Sequence, residues 1–237
     1  MMGKYSILDE VKKEGRSILT EFESKRVLRQ VGIPVVETRL AMNQKEAVSI
    51  SQRIGFPVVL KITSPDVVHK TDSGGVKLGL KNASEVKKAY DDILKSVKKK
   101  HPRALIHGIS VQKMARPGTE VIIGTSKDPQ FGPVIMFGLG GVFVEVLKDV
   151  SFRVIPVGRR DAQEMIQETK GFPLLQGYRG KEPASIPSLI GMILKISKFI
   201  NENPQIREME LNPVLAYKDK ALAVDARIIL EQTPLPL

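Results

Sequence analysis

Val67-Val68-His69-Lys70-Thr71-Asp72-Ser73-Gly74-Gly75-Val76-Lys77-Leu78-Gly79 is the stretch from which the rest of the chain can be read. It follows Pro57-Val58-Val59-Leu60-Lys61-Ile62, an apolar run with one lysine inside it. A strand ending in a Gly-Gly turn, with a lysine on each side, suits holding polyphosphate. Glycine lets backbone N–H groups approach oxyanions closely, and the ammonium groups offset the charge. His69 is the unusual member. A neutral imidazole is a good nucleophile toward phosphorus, so a histidine on a glycine-anchored loop could carry a phosphoryl group. The same residues also fit an exposed turn with a hydrogen-bonded histidine, and the stretch alone leaves both readings open.

Composition narrows the classes. A chain of 237 residues predicts one to two domains with ample length for a core. Its 42% apolar and 27% charged content is that of a soluble globular protein. No apolar run approaches the roughly 20 residues that span a bilayer; the longest, Gly132 to Val144, is broken by Gly138, Gly140 and Gly141. The first six residues lack the hydrophobic core of a signal peptide, so a cytoplasmic protein is expected, with no membrane partner. The absence of cysteine excludes disulfides, thiolate metal sites and cysteine nucleophiles. The net charge of +11 fits nucleic acid, an acidic membrane surface or an anionic small substrate. Much of the excess lies at Lys95 and Lys98-Lys99-Lys100, the tail of an expected helix, where cations complement the helix dipole. No basic run is interleaved with aromatic residues, so nucleic acid is not the expected partner.

Outward from the central stretch, the first half alternates strands and helices. Residues 1–19 read as a lead-in arm with a short helical pattern at Ile7, Leu8 and Val11. Thr20-Glu21-Phe22-Glu23 reads as a capping box opening a helix with Val27, Leu28 and Val31 on one face, stopped by Gly32. A strand is expected over Pro34–Leu40. A helix follows from the box at Asn43-Gln44-Lys45-Glu46, carrying Ala47, Val48 and Ile54, to Gly55. Strands over Pro57–Ile62 and Val76–Leu80 flank the His69 loop, and Ser84 is expected to cap a helix bearing Val86, Tyr90, Ile93, Leu94 and Val97. This alternation implies a mixed sheet with helices packed on it. The second half carries strand candidates over Leu105–Met114, Glu120–Thr125, Pro133–Phe137, Val142–Leu147 and Phe152–Pro156. A short helix capped by Asp161 runs through Thr169, a loop covers 171–187, and a helix spans about Ser188–Ile200. A hairpin closes the chain: Ile206–Tyr217, a turn at 218–220, and Ala221–Leu230.

That hairpin brings Glu208-Met209-Glu210-Leu211-Asn212-Pro213 beside Asp225-Ala226-Arg227. Alternation puts Glu208, Glu210 and Asn212 on one face, and the turn places Asn212 roughly opposite position 226, close enough to share a site with Asp225. Carboxylate and amide oxygens converging this way suit Mg²⁺, which takes one or two carboxylates plus nucleotide phosphates; a solvated face with chance acids is the alternative. Glu120, past the turn at Arg116-Pro117-Gly118-Thr119, could accept from a ribose hydroxyl or an amine, or be plain surface charge. Gly138-Leu139-Gly140-Gly141 with Glu145 does not open a helix, so a Rossmann fingerprint is rejected. P-loop and HExxH motifs are absent. No Ser/His/Asp triad can be argued, since His101 reads as exposed before Pro102 and His107 as a structural strand residue.

Taken together these residues resemble the ATP-grasp fold, and in particular the β subunits of archaeal ADP-forming acetyl-CoA synthetases (acetate–CoA ligases, ADP-forming). The resemblance runs from Glu23-Ser24-Lys25 to Asp225-Ala226-Arg227. It is most specific at Lys61-Ile62 with Ser64-Pro65-Asp66, at His69 to Val76, and at Glu210-Leu211-Asn212-Pro213-Val214. Succinyl-CoA synthetase β subunits look like more distant relatives, which lack a phosphorylated histidine on this subunit. The resemblance implies an α/β (α+β) ATP-grasp fold, a single module over 1–237 with lobes at about 21–114 and 115–230 and nucleotide in the cleft between them. It implies the reaction acyl-CoA + ADP + phosphate ⇌ carboxylic acid + CoA + ATP, with a partner α subunit carrying the CoA and acyl sites in an α2β2 assembly. His69 would relay the phosphoryl group on a swinging loop. Lys61 with Ser73, Gly74 and Gly75 would meet nucleotide phosphates. Gln112, Lys113 and Met114 would line the adenine pocket, Glu120 would bind nucleotide and Arg153 is a further phosphate candidate. Asn212 and Asp225 would hold Mg²⁺, with Glu210 either supporting these ligands from behind or serving as an additional one. The alternative is a stand-alone ATP-grasp carboxylate ligase that works through an acyl phosphate and needs no phosphohistidine.

Overall fold

The computed structural model describes residues 6–67, 69–141, 147–178, 180 and 182–231. In chain order its elements are α1 (Ser6–Lys13), α2 (Glu21–Gln30), β1 (Thr38–Ala41), α3 (Gln44–Ile54), β2 (Val58–Thr63), β3 (Val76–Leu80), α4 (Ala83–Lys100), β4 (Gly108–Lys113), β5 (Thr119–Asp128), β6 (Gly132–Leu139), β7 (Val150–Val154), α5 (Arg159–Gln167), α6 (Phe172–Leu175), α7 (Ile186–Glu202), β8 (Ile206–Ala216), β9 (Ala221–Ala223) and β10 (Ala226–Leu230). They fall into two compact units, one of Thr20–Phe22 with Val36–Arg116, the other of Met1–Leu19, Glu23–Val35 and Pro117–Leu237.

The first unit holds a four-stranded sheet in the order β1-β4-β2-β3, all of it antiparallel. A mixed sheet was expected from the strand–helix–strand pattern. β4 instead inserts between β1 and β2, so the two strands joined through α3 never pair. Val58, Leu60 and Ile62 of β2 and Ile109 and Val111 of β4 pack against Ala47 and Ile50 of α3 and Val86, Ile93 and Val97 of α4. The alternate residues Val59, Lys61, Ser110 and Gln112 lie on the opposite face, where they too are buried. Both helices start on the same device. Asn43 Oδ1 accepts the Glu46 N–H (2.9 Å) and Asn82 Oδ1 the Glu85 N–H (3.0 Å), while the two glutamates reach back to the N–H groups of Met42 and Lys81. Asn82, not Ser84, is therefore the cap of α4.

The second unit holds a six-stranded antiparallel sheet, β10-β8-β5-β6-β7 with β9 also on β8. Its inner face packs Val121, Ile123, Ile135, Phe137, Met209 and Ile228 against residues from α1, α2, α5 and α7. Ile7, Leu8 and Val11 are buried in this core, so the N-terminal segment is a packed helix rather than an arm. The other face carries a cross-strand row, Arg227, Glu210, Gly124, Met136 and Phe152. β8 is bulged: Val121 faces Val214 but Ile123 faces Leu211, so the extra residue falls at Asn212-Pro213. Proline has no N–H for a ladder and is accommodated in an inner strand at such a break.

Three further readings change. Asp161 is not the cap of α5 but its third residue, accepting the N–H of the cap residue Gly158 at 2.7 Å. The expected loop over 171–187 contains the helical turn α6. β1 begins at Thr38 rather than Pro34, with Val35 making an isolated bridge to Ala223. The strand expected over Val142–Leu147 lies, apart from Leu147 in a turn, outside the described residues, as does Glu145. Among the described residues no helix is long and apolar enough to cross a membrane.

The capping assignment has a direct consequence. Asn82→Ala is expected to cost about 1 kcal/mol of stability in urea unfolding, whereas Ser84→Ala stays within about 0.5 kcal/mol of the parent.

Candidate functional site

The candidate residues divide between the units: His69, Lys61, Ser73–Gly75 and Gln112–Met114 in the four-stranded unit, and Glu120, Arg153, Glu210, Asn212 and Asp225 in the six-stranded one.

His69 is exposed on the connection from β2 to β3. The chain around it is tightly turned. The Ser73 N–H and the Ser73 hydroxyl both donate to the His69 carbonyl (3.2 and 3.0 Å), the Gly74 N–H donates to Thr71 (2.9 Å) and the Gly75 N–H to Lys70 (2.7 Å). Gly75 is required on steric grounds, because a Cβ there would lie 2.6 Å from Ile62 Cγ2 and 3.0 Å from the Lys70 carbonyl oxygen. Gly74 adopts a left-handed φ of +69°. The two glycines thus close the turn onto β2. Their N–H groups are engaged within it, so in this arrangement the turn does not present them to an anion. Ser73, 4% exposed, also lies 2.9 Å from His101 Nε2. His101 is half-buried at the C-terminal end of α4, not the exposed residue expected from the sequence.

Lys61 is 7% exposed, and a buried ammonium needs a counter-charge. Glu21, at the start of α2, supplies it: Oε1 lies 2.7 Å from Lys61 Nζ and Oε2 3.0 Å from Lys70 Nζ. One carboxylate thus bridges two ammoniums, one on β2 and one on the His69 segment. Sequence reasoning missed Glu21, which in the chain is an ordinary acid in a first helical turn, 40 residues from Lys61 and 49 from Lys70.

Gln112 is 2% exposed on β4, between Thr38 and Val59. Lys113 turns its ammonium to the carbonyls of Gly55 (2.8 Å) and Phe56 (3.0 Å), closing the C-terminal end of α3. The N–H groups of Lys113 and Met114 donate to Glu37 (3.0 Å) and Pro57 (3.1 Å).

In the six-stranded unit Ala226 faces Leu211 and Ala223 faces Val214, so Asn212 and Asp225 fall opposite one another, one residue from the expected register. Asn212 Nδ2 donates to Glu210 Oε1 (3.1 Å), which turns the amide oxygen away from Glu210, and Asp225 Oδ1 accepts the Ala226 N–H (2.7 Å). An amide oxygen and two carboxylates are the hard donors Mg²⁺ prefers. Among the described residues no three His, Cys, Asp or Glu side chains gather as a metal cage. A cation at Asn212 and Asp225 would therefore complete its shell with phosphate oxygens and water. Glu120 is exposed, and its carbonyl accepts the Gly140 N–H at 2.8 Å. A Cβ on Gly140 would come within 2.9 Å of Glu120 Cβ, so this glycine serves close strand packing. Arg153 lies apart from this set. It pairs with Ile135 on the helix-covered face and is bound by Glu168, whose hydrogen bond raises the guanidinium pKa above its ordinary value and lowers that of Glu168.

An ATP-grasp domain model matches residues 10–230. The chain is similar to the β subunit of acetate–CoA ligase (ADP-forming) I of Pyrococcus furiosus, 48% identical over 94% of this chain and 96% of the relative. It is 48% identical over 86% of its length to acetate–CoA ligase (ADP-forming) I of Archaeoglobus fulgidus, and spans 30% of that longer protein. Among solved structures it resembles acetyl-coenzyme A synthetase 1 of Ca. Korarchaeum cryptofilum, with 97% of this chain and 100% of the matched chain covered. The form with coenzyme A and Ca-AMPCP matches at a TM-score of 0.94 and 51% identity. The form with a phosphorylated phosphohistidine segment in a site I orientation gives 0.91 and 49%. The form with Mg-AMPPCP and the segment pointing towards the nucleotide site gives 0.86 and 48%.

Removing the shared carboxylate takes a counter-charge from a buried ammonium. Glu21→Leu is expected to cost about 3 kcal/mol of unfolding free energy, and Glu21→Leu with Lys61→Met to cost less than Glu21→Leu alone, as measured by a denaturant double-mutant cycle.

Proposed function

The chain belongs to the ATP-grasp family of ADP-forming acetate–CoA ligase β subunits, and we propose that it is the nucleotide-handling subunit of an ADP-forming acyl-CoA synthetase that relays phosphate through His69. The observation that carries this reading is an exposed histidine on a glycine-closed turn beside the lysine pair at Glu21, in a chain so similar to a synthetase solved with a phosphorylated histidine segment. In the forward direction acyl-CoA and phosphate yield an acyl phosphate and CoA on the partner. The acyl phosphate passes its phosphoryl group to a histidine of the partner as the carboxylate leaves; the His69 imidazole nitrogen then attacks that phosphorus, and a P–N bond to His69 forms as the P–N bond to the partner breaks. A β-phosphate oxygen of ADP then attacks the phosphohistidine, the P–N bond breaks and ATP forms. Splitting one transfer between remote sites into two short in-line steps lets positioning and charge neutralisation do most of the catalysis.

The residues take the following parts. Lys61, with Lys70 beside it, offsets phosphate charge. Gln112, Lys113 and Met114 border the adenine through the backbone. Glu120 accepts from the nucleotide. Asn212 and Asp225 hold Mg²⁺, and Glu210 orients the Asn212 amide; the ion, when bound, neutralises the β- and γ-phosphate oxygens. Arg153 is left to its pairing with Glu168. The partner carries the CoA and acyl sites, as the subunit name of one relative and the greater length of another support, and the assembly is α2β2. The reaction draws on ADP and CoA thioesters, which agrees with a cytoplasmic protein.

Incubation with Mg²⁺ and γ-labelled ATP tests the relay. Acid-labile, base-stable label is expected on the parent chain and not on His69→Ala. Nucleotide binding without label on either would instead support the stand-alone ligase reading. Asp225→Ala is expected to raise the Mg²⁺ concentration for half-maximal labelling at least about tenfold, and Glu210→Gln by about tenfold.

A further inference from the structure

We propose that His101 is a positioning residue for His69, acting through Ser73 as a latch that holds the segment docked on α4; this rests on the phosphohistidine reading above. The Ser73 hydroxyl has one proton, which it donates to the His69 carbonyl. Toward His101, at 2.9 Å, the same oxygen must therefore accept, and the His101 proton sits on Nε2. The chain of donation runs from His101 Nε2–H to Ser73 Oγ–H to the His69 carbonyl oxygen. Ser73 is 4% exposed, so neither contact is readily replaced by water.

The surrounding contacts have the same sense. Lys100 Nζ donates to the Asp72 carbonyl oxygen, and Gly74 lies so close to Ser96 that a Cβ there would sit 3.0 Å from Ser96 Cβ. Ser96, Lys100 and His101 belong to the final turns of α4 and its cap, and His101 donates its own N–H to Val97 at 2.7 Å. All of these contacts grip the main chain from 69 to 74, and none takes a nitrogen of the His69 ring. The latch therefore sets where the ring is presented while leaving it available for chemistry. Lys70, at the root of the segment, shares Glu21 with Lys61, so the docked arrangement places the segment beside the lysine assigned to nucleotide phosphates. In the Korarchaeum synthetase the segment is described in two orientations, and a segment that swings must break and remake whatever holds it at one end.

The test compares the parent chain with His101→Leu, Ser73→Ala, the double variant and His101→Gln, whose amide nitrogen can replace the Nε2 donor. Labelling of His69 from Mg-ATP is expected to slow by about fivefold to tenfold in His101→Leu and in Ser73→Ala. The double variant should be no slower than Ser73→Ala, and His101→Gln should recover most of the rate. Amide hydrogen exchange over 69–75 should rise in the two slow variants and return in His101→Gln. Parent-like labelling and exchange in His101→Leu would overturn the latch, as would additive losses in the double variant. Failure of the parent itself to label would refute the phosphohistidine reading, and exchange alone would then decide: raised exchange in both variants upholds the docking, and unchanged exchange overturns it.

Discussion

A single carboxylate, that of Glu21, lies between the ammonium groups of Lys61 and Lys70, and much of the four-stranded unit depends on it. β2 is buried along its whole length, so any charged residue on it must be compensated within the protein. With Glu21 in place, Lys61 can occupy an inner strand and the His69 segment is tied at its root through Lys70. The same carboxylate therefore serves both a buried strand residue and the segment that carries His69.

The six-stranded sheet solves a different problem. Its inner face is taken up by helices, so polar chemistry has to occupy the other, where Glu210, Arg227 and Met136 line up across the strands. The bulge at Asn212-Pro213 shifts the register of β8 against β5, while the pairing of β8 with β9 and β10 keeps one register and leaves Asn212 opposite Asp225. A regular strand would carry the alternation straight through; the extra residue interrupts the ladder, and the proline, unable to donate, costs least there.

Glycine also has two distinct uses here. Gly75 and Gly140 are present because backbone or side-chain atoms approach within a distance that a methyl group would occupy. Gly74 adopts a backbone conformation that other residues rarely take. From the sequence, Gly74-Gly75 reads as a phosphate cradle. In the folded chain both N–H groups close the turn that carries His69.

Periodic signals translated directly. The apolar spacing of α4, the Asn43-x-x-Glu46 start of α3, the alternation of the final hairpin and the pairing of Asn212 with Asp225 to within one residue are local matters, decided by helix and strand repeat and turn length. By itself the sequence therefore determined the elements, the ATP-grasp kinship and most of the polar residues worth attention. What it could not carry was decided by contacts between residues far apart in the chain. β4 entered between β1 and β2, Glu21 found two lysines 40 and 49 positions away, Arg153 was turned toward Glu168, and His101 reached Ser73 across 28 residues. Sheet order and buried charge pairing are collective properties of packing, and only the tertiary structure can express them, because the free energy of burying Lys61 or Ser73 depends on which distant group arrives to satisfy it.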